Sequence, residues 1–170
     1  MKITFEPIGI INTPFKTIEG MPIQSKAAKG IKGCIILKKE LVSGLNDLSG
    51  FSHIILIYYF HKSEGFKLQT IPFLDKNKRG VFSTRAPRRP NSIGISVVRL
   101  LNIEKNILNI ENVDMLDGTP LLDIKPYISD FDIHKIDKSG WLENQTMSLN
   151  EIKSDKRLSP LRKVRGAVNN

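Results

Sequence analysis

The segment His53-Ile54-Ile55-Leu56-Ile57-Tyr58-Tyr59-Phe60 is apolar or aromatic at nearly every position. A run of this length and β-branched character reads as a strand with both faces covered. The rest of the chain punctuates in the same way. Short strands are expected at 35–37, 67–71, 81–84, 96–102, 107–113 and 121–125, with a tight turn over Asn102-Ile103-Glu104-Lys105-Asn106. Residues 3–10 read as an edge strand, because Pro7 cannot donate to a ladder. Leu37, Leu41, Leu45 and Leu48 recur at helical spacing ahead of Gly50, which predicts one amphipathic helix over 39–48 despite the internal Gly44. Many short strands with one short helix predict a mainly β domain, either a barrel or a sandwich.

With 170 residues the chain is long enough for one well-packed domain. We divide it into a β domain at 1–147 and a basic tail at 148–170. Leu149 and Ile152 suggest a short helix, and poor order is expected beyond Ser154, where Pro160 and Gly166 break any helix. The formal net charge is +9, which favours a polyanionic partner such as RNA. The tail concentrates that charge in Lys153, Lys156, Arg157, Arg162, Lys163 and Arg165. The single Cys34 excludes an internal disulfide and reads as a buried small hydrophobe. No apolar run approaches the roughly 18 residues of a membrane span, and the N-terminus lacks a signal-peptide pattern, so a cytoplasmic location without a membrane partner is expected. No dinucleotide or Walker glycine motif and no zinc motif is present, so no metal is assigned.

Chemistry gathers in two loops. Gly80-Val81-Phe82-Ser83-Thr84-Arg85-Ala86-Pro87-Arg88-Arg89-Pro90-Asn91 is too proline-rich for a helix or a central strand. It reads as a stiff loop presenting guanidinium groups, with Arg85 and Arg89 as candidate anion clamps beside Asn91, and Arg88 facing solvent or RNA. The plain alternative is a surface turn whose arginines pair with neighbouring acids. In the second loop, Asp114 and Asp117 are candidates for holding a cation or a ribose diol, although Asp117-Gly118 is also an ordinary turn pair. Lys125 and Tyr127 flank Pro126 at a strand end, where an amine and a phenol can steer a phosphate or assist proton transfer. His61 follows the long strand and is a functional candidate. His53 reads as a satisfied turn histidine, His134 as a surface residue and Trp141 as core or dimer packing.

Together these residues resemble the TsaA/TrmO-like family of S-adenosylmethionine-dependent tRNA methyltransferases. The resemblance rests on Gly-Val-Phe-Ser-Thr-Arg-Ala-Pro-x-Arg-Pro-Asn-x-Ile-Gly at 80–94 and Asp-Gly-Thr-Pro-x-x-Asp-Ile-Lys-Pro-Tyr at 117–127. Ile8-Gly9-Ile10-Ile11, Pro22-x-Gln24, Gly50-Phe51-Ser52-His53 and Phe60-His61 extend it over about residues 3–130. It implies a single compact β-barrel domain, dimeric, that binds S-adenosyl-L-methionine. It implies methylation of the exocyclic nitrogen of a threonylcarbamoyl-modified adenosine beside the tRNA anticodon. By position the implied cofactor pocket falls on Gln24, Ser25, Lys26, His61, Lys62, Arg85, Ile95, Val113, Asp114, Met115 and Leu116. Arg89, Asn91 and Lys125 fall toward the RNA, and Asp117 or Tyr127 is the candidate base. The chain departs from the family at Pro22-Ile23-Gln24-Ser25-Lys26, and its short basic tail stands where longer bacterial members carry a C-terminal domain. Two rivals are a methyltransferase of the same fold with another substrate and a non-catalytic RNA-binding barrel.

Overall fold

A computed structural model describes residues 1–143 and 153–155. Six strands close into an antiparallel barrel: β1 (Gly9–Asn12), β2 (Lys32–Leu37), β3 (His53–Tyr59), β6 (Ile93–Glu104), β7 (Ile107–Glu111) and β8 (Thr119–Pro126). Their order around the barrel is β1-β2-β7-β6-β3-β8, so no edge of this sheet is left open. A separate ribbon pairs β4 (Gln69–Thr70) with β5 (Arg79–Gly80). The strands alternate, with Ile11, Ile35, Ile54, Leu56, Val98, Leu108, Ile110 and Leu121 buried inside. Burying each such aliphatic side chain contributes about 1.5–3 kcal/mol. The long strand β3 sits between β6 and β8, as a fully paired strand should, but its outward residues Ile55 and Ile57 are only half-covered.

The hairpin between β6 and β7 turns at Lys105-Asn106, with Lys105 in the left-handed region at φ 58°. The expected turn is there, and the strands run up to it on both sides. Two irregularities bend the barrel. The register slips between Leu100 and Asn102 in β6, and again where β8 passes Ile57 and Tyr58 of β3.

Several elements differ from the sequence expectation. Residues 39–48 do not form an α-helix. They form 3₁₀ turns at Lys39–Leu45 and Leu48–Gly50, because Gly44 weakens the helix and Asp47 leaves it at φ 63°. The N-terminal strand begins at Gly9 rather than Ile3. The Ile8 amide still donates to the Leu121 carbonyl at 2.8 Å, but Pro7 has no N–H to carry the ladder further. Residues 67–71 pair only at Gln69–Thr70. Residues 81–83 are a 3₁₀ turn rather than a strand, because the Ser83 and Thr84 hydroxyls donate back to the Gly80 and Val81 carbonyls at 2.8 and 2.9 Å. Cys34 is half-buried between Asn12 and Asn109 on its neighbouring strands rather than in the core. After β8 comes a one-turn helix, α1 (Ser129–Asp132). The suggested helix around Leu149 and Ile152 and the tail from 156 lie outside the described residues. Among the described residues no helix is long and apolar enough to cross a membrane, and no group of His, Cys, Asp or Glu is placed to hold a metal ion.

Candidate active site

The C-terminal end of β3, the start of β6 and the connection from β7 to β8 meet at one side of the barrel. With the 18–26 loop and the arginine loop they enclose a cavity of about 780 Å³. Its floor is set by a cross-strand pair. Tyr58 of β3 lies opposite Gly94 of β6, and a Cβ on Gly94 would stand 2.2 Å from the Tyr58 ring and 2.9 Å from Phe60. Only glycine leaves room for the tyrosine to lie there. Phe60 meets Tyr58 edge-to-face at 5.3 Å between centroids.

A buried polar chain runs across this floor. The Ser96 hydroxyl donates to Asp114 Oδ1 at 2.6 Å. That uses its one proton, so the Tyr58 hydroxyl is the donor in the 3.0 Å contact with Ser96 Oγ. Burial raises the Tyr58 pKa, which keeps the phenol protonated for this role. Burial also raises Asp114, to about 6, against the opposing effects of the Ser96 hydroxyl, backbone donors that include Ser25, and the Arg85 charge. Above the floor, Arg85 Nη1 donates to Gln24 Oε1 at 2.8 Å and ties the arginine loop to the 18–26 loop. His61 has its pKa lowered, first by burial and then by Lys62, against the opposing charge of Asp117.

The arginine loop is stiff for reasons beyond its prolines. Arg89 Nη1 donates to the carbonyls of Thr84 and Ala86 at 2.9 and 3.3 Å, and Ser63 Oγ donates to the Pro87 carbonyl at 3.1 Å. The Arg89 guanidinium therefore holds its own loop together, while Arg85 is exposed. Arg88, read as facing solvent or RNA, is half-buried. Trp141, read as core or dimer packing, instead lines the cavity; its indole N–H donates to the Ser83 carbonyl at 2.8 Å and its ring faces Arg79.

Of the residues singled out in the sequence, Gln24, Ser25, Lys26, His61, Lys62 and Arg85 line this cavity, with Ile95, Asp114, Met115, Leu116 and Arg89. The others lie elsewhere. Val113 is fully buried in the barrel core. Asp117 accepts from the Thr13 amide at 3.0 Å and pairs with Lys16 at 2.6 Å, so its carboxyl is held below the usual range, by Lys16 first. It fastens the β7–β8 connection to the chain after β1. Tyr127 packs edge-on against His53, whose Nδ1 lies 3.0 Å from Ser52 Oγ. Lys125 pairs with Asp123 at 2.8 Å on the outside, and Asn91 is exposed. Tyr58, Gly94 and Ser96 were not singled out in the sequence. A small polar Ser96 at an inward position of an apolar strand, two residues from a glycine, was the available signal.

Comparison with known proteins agrees with this geometry. The family model described as the tRNA-methyltransferase O N-terminal domain matches residues 10–133. A protein of Pyrococcus abyssi named a probable S-adenosyl-L-methionine-binding protein is 50% identical over 161 residues, covering 95% of this chain and 88% of its own. The tRNA (adenine(37)-N6)-methyltransferase of Escherichia coli is 37% identical over 134 residues, covering 73% of this chain and 57% of its own. The crystal structure of TrmO from Pseudomonas aeruginosa superposes with a TM-score of 0.70 at 36% identity, covering 83% of this chain and 63% of that one. The chain thus spans less than two thirds of these last two proteins.

Proposed function

The chain belongs to the TrmO-like family of S-adenosylmethionine-dependent tRNA methyltransferases, and from that premise we propose that it methylates N6 of a threonylcarbamoyl-modified adenosine beside the anticodon. The observation that carries this reading is the cavity, whose lining suits S-adenosyl-L-methionine. Arg85 offers a fork for a carboxylate, Asp114 offers the opposite charge for an ammonium or sulfonium, and Tyr58, Phe60, Ile95 and Leu116 offer apolar surface for an adenine. When bound, the cofactor supplies an activated methyl group. The proton that the acceptor nitrogen gives up on methylation would pass to a carboxylate on the cavity wall.

The protein's part is mainly alignment, which lowers such barriers by about 7–11 kcal/mol in favourable cases. The stapled arginine loop and the Tyr58–Ser96–Asp114 chain keep the cavity walls fixed. Asp117 and Tyr127 do not line the cavity; Asp114 does, and burial lifts its carboxyl toward the range of a useful proton acceptor. The basic groups of the chain, including those of the tail, suit the anticodon phosphates.

A homodimer in the cytoplasm completes the proposal. Ile10, Ile36 and Ile107 are register neighbours on β1, β2 and β7, each about two-fifths exposed, and form an outward apolar stripe that a second copy can cover. Nucleoside analysis of tRNA from a deletion strain, with and without the gene restored, tests the substrate. Loss of the methyl mark on threonylcarbamoyladenosine is expected. Loss from a different nucleoside would point to another substrate, and no cofactor binding by the folded protein at millimolar concentration would leave only an RNA-binding barrel.

A further inference from the structure

Ser154 lies beyond the residues matched by the family model, yet it is buried and lines the cavity. Four hydrogen bonds join it to the chain between Ile18 and Met21. The Gly20 amide donates to the Ser154 carbonyl at 2.9 Å, and the Ser154 amide donates to the Met21 carbonyl at 2.8 Å. The Met21 amide donates to the Ser154 hydroxyl at 2.9 Å, and that hydroxyl donates in turn to the Ile18 carbonyl. Lys153 adds an antiparallel bridge to Pro22. Every hydrogen-bonding group of Ser154 is thus directed at one short stretch. That stretch turns at Gly20, in the left-handed region at φ 82°, and leads directly into Gln24, Ser25 and Lys26.

The far end of the same loop is held by the cavity itself, through Arg85 on Gln24 and through the Ser25 amide on Asp114. Between these two anchorages there is little secondary structure to fix the loop; Ser25–Ala27 is a single 3₁₀ turn. We propose that Ser154 is a positioning residue for the cofactor site, a clasp that holds the 18–26 loop in its binding conformation from outside the matched domain. The clasp rests on the S-adenosylmethionine reading above. Without the hydroxyl two of the four hydrogen bonds are lost, the loop is held more loosely at this end, the competent fraction falls, and apparent affinity falls with it.

The test uses the full chain with Ser154→Thr and Ser154→Val, which differ by a hydroxyl at almost constant volume. Calorimetry with S-adenosyl-L-methionine should give a Kd for Ser154→Val roughly 10-fold weaker than for Ser154→Thr, the scale of a lost buried hydrogen bond. In turnover the difference should fall on the KM for the cofactor, with kcat at saturation preserved. Amide hydrogen exchange of the ligand-free proteins should show the Met21 N–H exchanging faster in Ser154→Val, a readout that does not depend on the methyltransferase reading. Equal Kd values for two folded variants, or equal Met21 exchange, would overturn the clasp. Failure of the wild type to bind the cofactor would instead overturn the function, while the exchange comparison would still decide whether the clasp holds the loop.

Discussion

Arg85 and Arg89 sit four residues apart on one loop, and their surroundings separate their roles. Arg89 is half-buried and donates to the carbonyls of its own loop, whereas exposed Arg85 reaches across the cavity to Gln24. Arg85→Ala should weaken S-adenosylmethionine binding roughly 10- to 100-fold, the value of a charge-assisted hydrogen bond, with little change in Tm. Arg89→Ala should lower Tm by several degrees, at about 2–4 °C per kcal/mol in a chain of this size. Calorimetry and thermal melts of the two variants check the contrast. The pH dependence belongs to Asp114, whose carboxyl is raised to about 6. Between about pH 4 and 6 the folded chain holds a proton that the unfolded chain has released, so this group's contribution makes stability fall as pH rises through that window. Asp114→Asn should remove that component from the melting curves. Cofactor affinity should run the other way, because the cationic end requires the carboxylate: roughly 10-fold weaker at pH 5 than at pH 7 in the wild type, and flat in Asp114→Asn. At this scale the sequence motifs located most of the cavity wall. They put Asp114 in the cofactor pocket but Asp117 at the reacting proton; both stand in one turn-like stretch, and only the partners differ: Ser96 within the barrel for one, Lys16 and Thr13 outside it for the other.

The β3–β6 pair carries the floor of the cavity, and its geometry depends on a missing side chain. Gly94 faces the Tyr58 ring so closely that a methyl group cannot be added without moving the ring. Overpacking of this kind costs about 1–3 kcal/mol, so Gly94→Ala should lower Tm by roughly 5 °C. Because displacing Tyr58 also takes its hydroxyl from Ser96, cofactor affinity should fall as well. A Gly94→Ala protein with wild-type melting and affinity would show that the ring has somewhere else to go. The strands themselves were legible from their β-branched and apolar content; burial alternates along β3 and β6, but outward Ile55, Ile57, Ile93 and Ile95 are as apolar as the inward residues. The short elements were not. Leucine spacing over 39–48 favours a helix, but Gly44 and the left-handed Asp47 limit it to 3₁₀ turns. Val81-Phe82-Ser83-Thr84 has strand composition, yet its hydroxyls satisfy nearby carbonyls and curl the backbone. Such local competition is decided by hydrogen bonds that apolar periodicity does not register.

Charge and connectivity join at the end of the chain. The net charge of +9 is concentrated after Ile152, and every cofactor-pocket residue named from the sequence lies upstream of it, so by sequence alone the tail is removable without touching the cofactor site. Ser154 changes that expectation, because the same segment closes on the 18–26 loop before its basic residues begin to accumulate. Two truncations separate the roles. Ending the chain after Asp155 keeps the clasp and removes Lys156, Arg157, Arg162, Lys163 and Arg165. S-adenosylmethionine affinity should then stay near the wild-type value, while tRNA binding weakens and loses salt dependence. Each removed cation that had neutralised a phosphate should take roughly 0.7–0.9 from the slope of log K against log salt. Ending the chain after Ile152 removes the clasp too, and should weaken cofactor binding in addition. Titrations of both truncated proteins with tRNA at several salt concentrations, and with the cofactor alone, give all four quantities. An unchanged salt slope for the protein ending at Asp155 would make the tail bystander charge. The RNA contacts would then fall to the barrel, where exposed Lys125 must leave Asp123 before it can meet a phosphate.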